Sequence, residues 1–284
     1  MLGASLGSAR LQFAPGEVAA GSYRFDIGSA GSASLVMQTV LLPLLLAPGH
    51  SEVTLIGGTH NPLAPSYDFL VASYLPQLRR LGFSADVQLV QRGFYPAGGG
   101  QLRATIAPTG ELTDFSLMQR GALLDHRARV IVSKLPISVA EHEASTLREK
   151  LRWKKEAISV EEDRTSVGPG NVVLIELRYE NVIEVVASFG ARGKRAEAVA
   201  TEAADEATQY LAQTAPVGPH LADQLLLPLG IAASRGHRGR FRTMPLTQHS
   251  RTHIDILQRF LDIQVAVSEE GDSAIVEVAP SARE

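Results

Sequence analysis

Apolar and polar positions change period several times along this chain, and each change marks an expected element. Short alternating stretches at Ala9–Phe13 and Tyr23–Ile27, set off by glycine and proline, predict strands from the outset. In "GSAGSASLVMQTVLLPLLL" small residues precede apolar positions at helical spacing, so a helix is expected. "EVTLIGGTHNP" predicts a strand ending in a glycine turn. "SYDFLVASYLPQLRRLGF" places Phe69, Leu70, Tyr74, Leu75, Leu78 and Leu81 along one helical face, with a proline near the middle. Two strands around a glycine-rich loop follow in "SADVQLVQRGFYPAGGGQLRATIAP".

Near residue 122 the pattern changes. "HRARVIVSKLP" predicts a strand, and "SVAEHEASTLREKLRWKK" a helix with Ser138 as N-cap and Glu141 at the capping-box position. "NVVLIELRYENVIEVVASFG" predicts two strands that turn at Glu180–Asn181. Residues 122–212 therefore read as an inserted α/β domain, with 1–121 before it and 213–284 after it. "KRAEAVATEAADEATQYLAQ" and "GPHLADQLLLPLGIAAS" predict helices. A basic loop "RGHRGRFR" follows, then "MPLTQHSRTHIDILQRF", whose apolar Ile254, Ile256, Leu257 and Phe260 trail two histidines, and then the strands "IQVAVSEE" and "SAIVEVAP".

Composition narrows the function only modestly. The absence of cysteine removes disulfides, thiolate nucleophiles and cysteine-rich zinc sites. A net charge of −3 gives no general attraction to nucleic acid, so any polyanion site must come from a local cluster. The longest apolar run, Leu41–Ala47, contains a proline and is too short to span a bilayer. No basic segment precedes an apolar one at the start, so a soluble cytoplasmic protein that does not engage membranes is expected.

Several segments offer chemistry beside a plainer role. "IGSAGSAS" at the head of a helix fits a phosphate on exposed amides, or a simple N-cap. "RGFYPAGGGQ" joins the cation Arg92 to three glycines, which suit a close approach to a partner or a long hairpin turn. Pro65 and Phe69 are spaced to grip a flat ring, or to serve as a helix-start proline and a core phenylalanine. Asp223 and Gln224 interrupt an apolar helix and need partners if buried. Arg235, Arg238, Arg240 and Arg242 make the strongest local candidate for nucleic-acid phosphate, against a solvated basic loop. His249 and His253 lie one helical turn apart without an HExxH motif or a neighbouring third ligand, which argues against a metal site.

Together these pieces resemble the RNA 3′-terminal phosphate cyclases. The similarity rests on "LGSARLQFAPG", "YRFDIGSAGSASLVMQTVLLPLL", "GGTHNPLAPSYDF", "RGFYPAGGG", "GPGN", "HLADQLLLPL" and "QHSRTHIDILQRF", in the family's order and across nearly the whole chain. The resemblance implies an α+β fold of repeated units, each a four-stranded sheet with two helices as in the C-terminal domain of translation initiation factor three, with a smaller inserted α/β domain. It implies ATP-dependent conversion of an RNA 3′-terminal phosphate into a 2′,3′-cyclic phosphate, with Mg²⁺ or Mn²⁺ as metal. By position, His249 is the nucleophile that carries AMP, and His253 is structural. Gln38 and the segment His220, Leu221, Ala222, Asp223 and Gln224 bind ATP, with Asp223 toward its sugar, while Pro65 and Phe69 sandwich adenine. Arg92, Arg238 and Arg240 are candidates for RNA phosphate, and no residue is assigned as a metal ligand.

The family's chain begins well upstream with a glycine-rich segment that supplies a metal-binding glutamate, whereas Met1 here falls just before "LGS". The first repeat is therefore expected to be incomplete and to leave apolar surface exposed. The alternative reading is a non-catalytic cyclase-like protein that binds RNA or assists ribosome assembly; such relatives lack the nucleophile. An enolpyruvyl transferase shares the repeated unit but needs clustered Lys and Arg and nothing like "HLADQ".

Overall fold

The computed structural model describes residues 1–282, so the end of the expected 213–284 segment lies outside the described residues. The first sheet is assembled from β1 (Ser22–Asp26), α1 (Ala33–Leu45), β2 (Ser51–Gly57), a helical stretch, β3 (Ala85–Gln91) and β4 (Gly100–Ile106), in the order β1-β2-β4-β3. The crossover through α1 makes β1 and β2 parallel, and the other pairs are antiparallel. The helical stretch comprises α2 (Tyr67–Phe69), a wide π turn at Leu70–Tyr74 and α3 (Leu75–Arg80). Pro76 has no N–H to donate, and just before it the Leu75 N–H reaches back to the Leu70 carbonyl, so the turn widens instead of breaking.

A short strand, β5 (Phe115–Leu117), precedes the change of pattern. Then come β6 (Leu123–Ser133), α4 (Ile137–Leu151), β7 (Ile158–Glu162), β8 (Gly170–Tyr179), β9 (Ile183–Phe189) and α5 (Ala196–Ala212), whose sheet runs β7-β6-β8-β9. The chain continues through α6 (Pro219–Ala233), β10 (Gly239–Thr243), α7 (Gln248–Phe260), β11 (Ile263–Glu270) and β12 (Ser273–Pro280). These strands form a sheet ordered β11-β12-β10-β5, with β5 parallel to β10 and the rest antiparallel. Its strand order and directions are those of the first sheet, and it draws β5 from the far side of the middle unit.

The middle sheet is covered on both faces, which explains why β8 is apolar almost throughout and nearly all buried. One face carries α4 and α5. The other receives Phe94, 2% exposed, among Ile131, Val172 and Leu174. Phe94 comes from the glycine-rich loop, which reaches so near that a Cβ on Gly170 would meet the ring at 2.0 Å. In the same loop Gly98 adopts φ +66°, and a Cβ there would strike the Ser29 carbonyl oxygen at 2.5 Å. Polar contacts add to this junction. Arg129 of β6 pairs with buried Asp68 of α2, whose other oxygen is 2.9 Å from His60 Nε2. Ser73 and Gln77 donate to the Ile183 and Asn181 carbonyls.

Three expectations change. Ala9–Phe13 is not a strand: it finds only an isolated Leu2–Gln12 bridge, and alternation without a neighbouring strand leaves it extended and exposed. Ser138 and Glu141 form no capping box, because α4 begins one residue before Ser138 with Pro136 as its cap. "RGHRGRFR" is only partly a loop, since β10 takes its second half into the sheet. On α7, Ile256 and Phe260 are 46% and 84% exposed.

Gly170→Ala is expected to lower stability by about 1–3 kcal/mol through the Phe94 clash, read as a fall in Tm of about 2–4 °C per kcal/mol. Burial works to raise the Asp68 carboxyl, but the His60 hydrogen bond and the charges of His60 and Arg129 prevail and lower it from 3.8 to about 2. A depressed carboxylate stabilises the fold above its unfolded value and loses that contribution as pH falls from 3.8 through about 2. Asp68→Asn should therefore cost about 2 kcal/mol near neutrality, a gap that urea titrations should find closing as the pH approaches about 2.

Candidate active site

Helix α7 presents two rows of side chains. Ser250, Ile254 and Leu257 form the buried row. His249, His253, Ile256 and Phe260 form the adjacent row, so spacing alone places both histidines on one stripe facing away from the core. Thr247 starts the helix, its hydroxyl accepting the Ser250 N–H at 3.1 Å, and this fixes the first turn where His249 sits.

The stripe meets α6. His249 Nδ1 lies 2.7 Å and His253 Nδ1 3.3 Å from the same oxygen, Asp223 Oδ1. The Asp223 side chain is 14% exposed whereas that of His249 is 80% exposed. Burial works to raise the Asp223 carboxyl, but hydrogen bonds from His253 and His249, with their charges, outweigh it and hold the group below the usual carboxylate range. A carboxylate can only accept, so a neutral His249 must carry its proton on Nδ1. Its Nε2 then keeps a free lone pair on the exposed side of the ring, an arrangement suited to a nucleophile oriented by a carboxylate.

The next residue of α6, Gln224, accepts a hydrogen bond from Gln38 of α1. Two helices, α7 and α1, thus converge on adjacent positions of α6. The N-terminus of α6 abuts the middle unit: Glu184 of β9 lies so close to Gly218 that a Cβ there would collide with Glu184 Oε1 at 2.1 Å. Burial, and then the charge of Glu206, push the Glu184 carboxyl up to about 8.

Other expected residues are placed unevenly. Leu221 and Ala222 are core residues with no exposure, so their side chains hold α6 in place rather than lining a surface. His220 is mostly exposed, 3.6 Å from Glu206. Phe69 is buried, 5% exposed, while Pro65 stays partly exposed and its carbonyl accepts from Ser34 at the head of α1. Arg92 lies 3.5 Å from Glu161, Arg238 is tied by its backbone N–H to Asp114, and Arg240 contacts Ser116, so the structure does not bring these three arginines together. The "IGSAGSAS" segment takes its plainer role: Ser32 caps α1, and the Gly28, Gly31 and Ala33 N–H groups are used by Asp26, Ser29 and Gly58. Among the described residues no three His, Asp or Glu stand close enough to hold a metal ion, so the implied metal finds no cage there. Nor is any helix long and apolar enough to cross a membrane. The role of Asp223 as shared acceptor was not visible in sequence; only the polar interruption of an apolar helix pointed to it.

Residues 1–267 match the family described as RNA 3′-terminal phosphate cyclase. The chain belongs to that family. A protein of that name from Pseudomonas fluorescens is 45% identical over 263 residues, covering 93% of this chain and 75% of the relative. One from Koribacter versatilis is 42% identical over 274 residues, 96% and 76% of the two chains. One from Salmonella enteritidis is 41% identical over 278 residues, 98% and 80%. The cyclase family match therefore spans the histidine stripe, α6 and the middle unit alike.

Removing the cap of the histidine helix should be measurable without activity. Thr247→Ala is expected to cost about 1 kcal/mol, seen as a lower denaturant midpoint with an unchanged slope.

Proposed function

We propose that this chain converts RNA 3′-terminal phosphates into 2′,3′-cyclic phosphates at the expense of ATP, with His249 as the residue that carries AMP. The observation that supports this most is the 2.7 Å contact from His249 Nδ1 to Asp223, which leaves Nε2 free and outward. His249 Nε2 attacks the α-phosphorus of ATP, forming an N–P bond as the bond to pyrophosphate breaks. His249 then gives the adenylyl group to the RNA 3′-phosphate, and the neighbouring 2′-OH attacks that phosphorus, loses its proton and expels AMP. Asp223 stabilises positive charge on the imidazole while the bond to phosphorus forms.

Gln38 and Gln224 offer amide groups beside the histidine for the nucleotide, Pro65 an apolar edge for adenine, and buried Phe69 its backing. Arg92, Arg238 and Arg240 are read as separate contacts to RNA phosphate. None of the described residues is read as a metal ligand, and ATP would bring any divalent ion as part of its complex. The units 1–121 and 213–284 are read as one repeated core, and 122–212 as the insertion that abuts α6 through Glu184. A purely RNA-binding relative has no use for an exposed imidazole oriented by a buried carboxylate, which favours the enzyme.

Labelling with α-phosphate-labelled ATP tests this. Wild type should take up acid-labile label, His249→Ala none, and Asp223→Asn should label at least about a hundredfold more slowly because the wrong tautomer is favoured. Equal labelling of wild type and His249→Ala would remove the proposed role.

A further inference from the structure

A cleft of about 510 Å³ opens between the helical stretch that begins at Tyr67 and the middle sheet. Tyr67 and Val71 line it from the helical stretch, and Arg127, Arg129 and Arg178 from the sheet, with apolar Ile183 beside its strand partner Arg178. The arginines are under-neutralised. Arg127 reaches Glu176 Oε2 through Nε and Nη2 at 3.0 and 2.6 Å. Arg178 is 3.8 Å from that same oxygen, and Arg129 is 3.7 Å from the other. Asp68, the second carboxylate in the cleft, is taken by Arg129 and His60. Glu161, 3.8 Å from Arg129, is shared with Arg92, so four guanidinium groups divide three carboxylates, one of them also bound to a histidine. Each guanidinium has five N–H donors, and the Arg127 and Arg178 side chains remain 49% and 43% exposed.

We infer that this cleft binds an internal nucleotide of the RNA strand, upstream of the reacting end, with its flanking phosphates on Arg127 and Arg178 and its base against Tyr67 and Ile183. The inference rests on the cyclase reading for the identity of the ligand. Arginine forks suit phosphate oxygens, and an apolar floor with an aromatic ring suits a base of any identity. The volume falls within the range of about 300–1,000 Å³ usual for ligand sites. Location supports the same strand. Tyr67 follows Pro65 by two residues, and the Leu70–Tyr74 turn packs on α6 as well as on β9. The cleft is therefore about one helix diameter, roughly 10 Å, from the helix bearing Asp223.

The test compares a 3′-phosphorylated RNA of about ten nucleotides with a 3′-phosphorylated dinucleotide, in a salt series. The proteins are wild type, Arg127→Gln/Arg178→Gln and Arg127→Lys/Arg178→Lys. For the longer RNA the glutamine variant should bind about tenfold more weakly, with a salt slope shallower by about 1.4, or 0.7 per lost phosphate contact. The dinucleotide should be unaffected, and the lysine variant should keep the slope. An unchanged slope in the glutamine variant overturns the site. So does an equal loss on the dinucleotide, or a raised ATP requirement for labelling, because either would place the arginines at the reacting end or on ATP. Labelling of the wild type by ATP without RNA reports on the cyclase reading separately: if it fails there, that reading has failed and not the cleft.

Discussion

A single carboxylate that accepts from two imidazoles must be dry enough to hold its hydrogen bonds and close enough to the surface to leave one ring free. Asp223 meets both demands because α6 is buried along Leu221, Ala222, Leu225 and Leu226 and turns only a narrow polar edge outward. Beyond exposed His220, that edge offers Asp223 and Gln224. Asp223 takes His249 and His253 from α7, and Gln224 takes Gln38 from α1. The remainder of the site follows from where α6 is held. Neither histidine contributes to the core, and α7 is fixed by Ile254, Leu257 and the Thr247 cap rather than by its reactive row.

The middle unit has a larger part in this than an appended domain would. Its sheet buries both faces, one under α4 and α5 and the other against Phe94 and the helical stretch after Pro65. Its strand β9 places Glu184 against Gly218, the N-cap of α6, where no side chain provides a cap. The same junction contains the under-neutralised arginines, so the surface that locates α6 is also the one with positive charge to offer a strand of RNA.

Much of this was legible in sequence because the signals were local. Helical spacing in "SLVMQTVLLPLLL", the apolar positions of β8 and the turn at Glu180–Asn181 each depend on near neighbours, and each formed where expected. What failed depended on partners far along the chain. Ala9–Phe13 has the alternation of a strand but no neighbouring strand, and β7 carries little local signal because "ISVEE" is short and charged and finds its strand partner in distant β6. In the site, His249 was singled out by motif and Asp223 by its polarity. Their contact bridges 26 positions, and no periodicity encodes it. The Arg129–Asp68 pair crosses 61 positions and was equally silent.

The tautomer of His249 tests the account most directly, since everything proposed for Nε2 depends on the proton residing on Nδ1. Long-range ¹⁵N–¹H correlation of the histidine side chains, in wild type and Asp223→Asn, reads it without substrate. Neutral His249 should show the Nδ1–H form in wild type and lose that preference in the variant. A neutral His249 protonated on Nε2 in wild type would contradict the account.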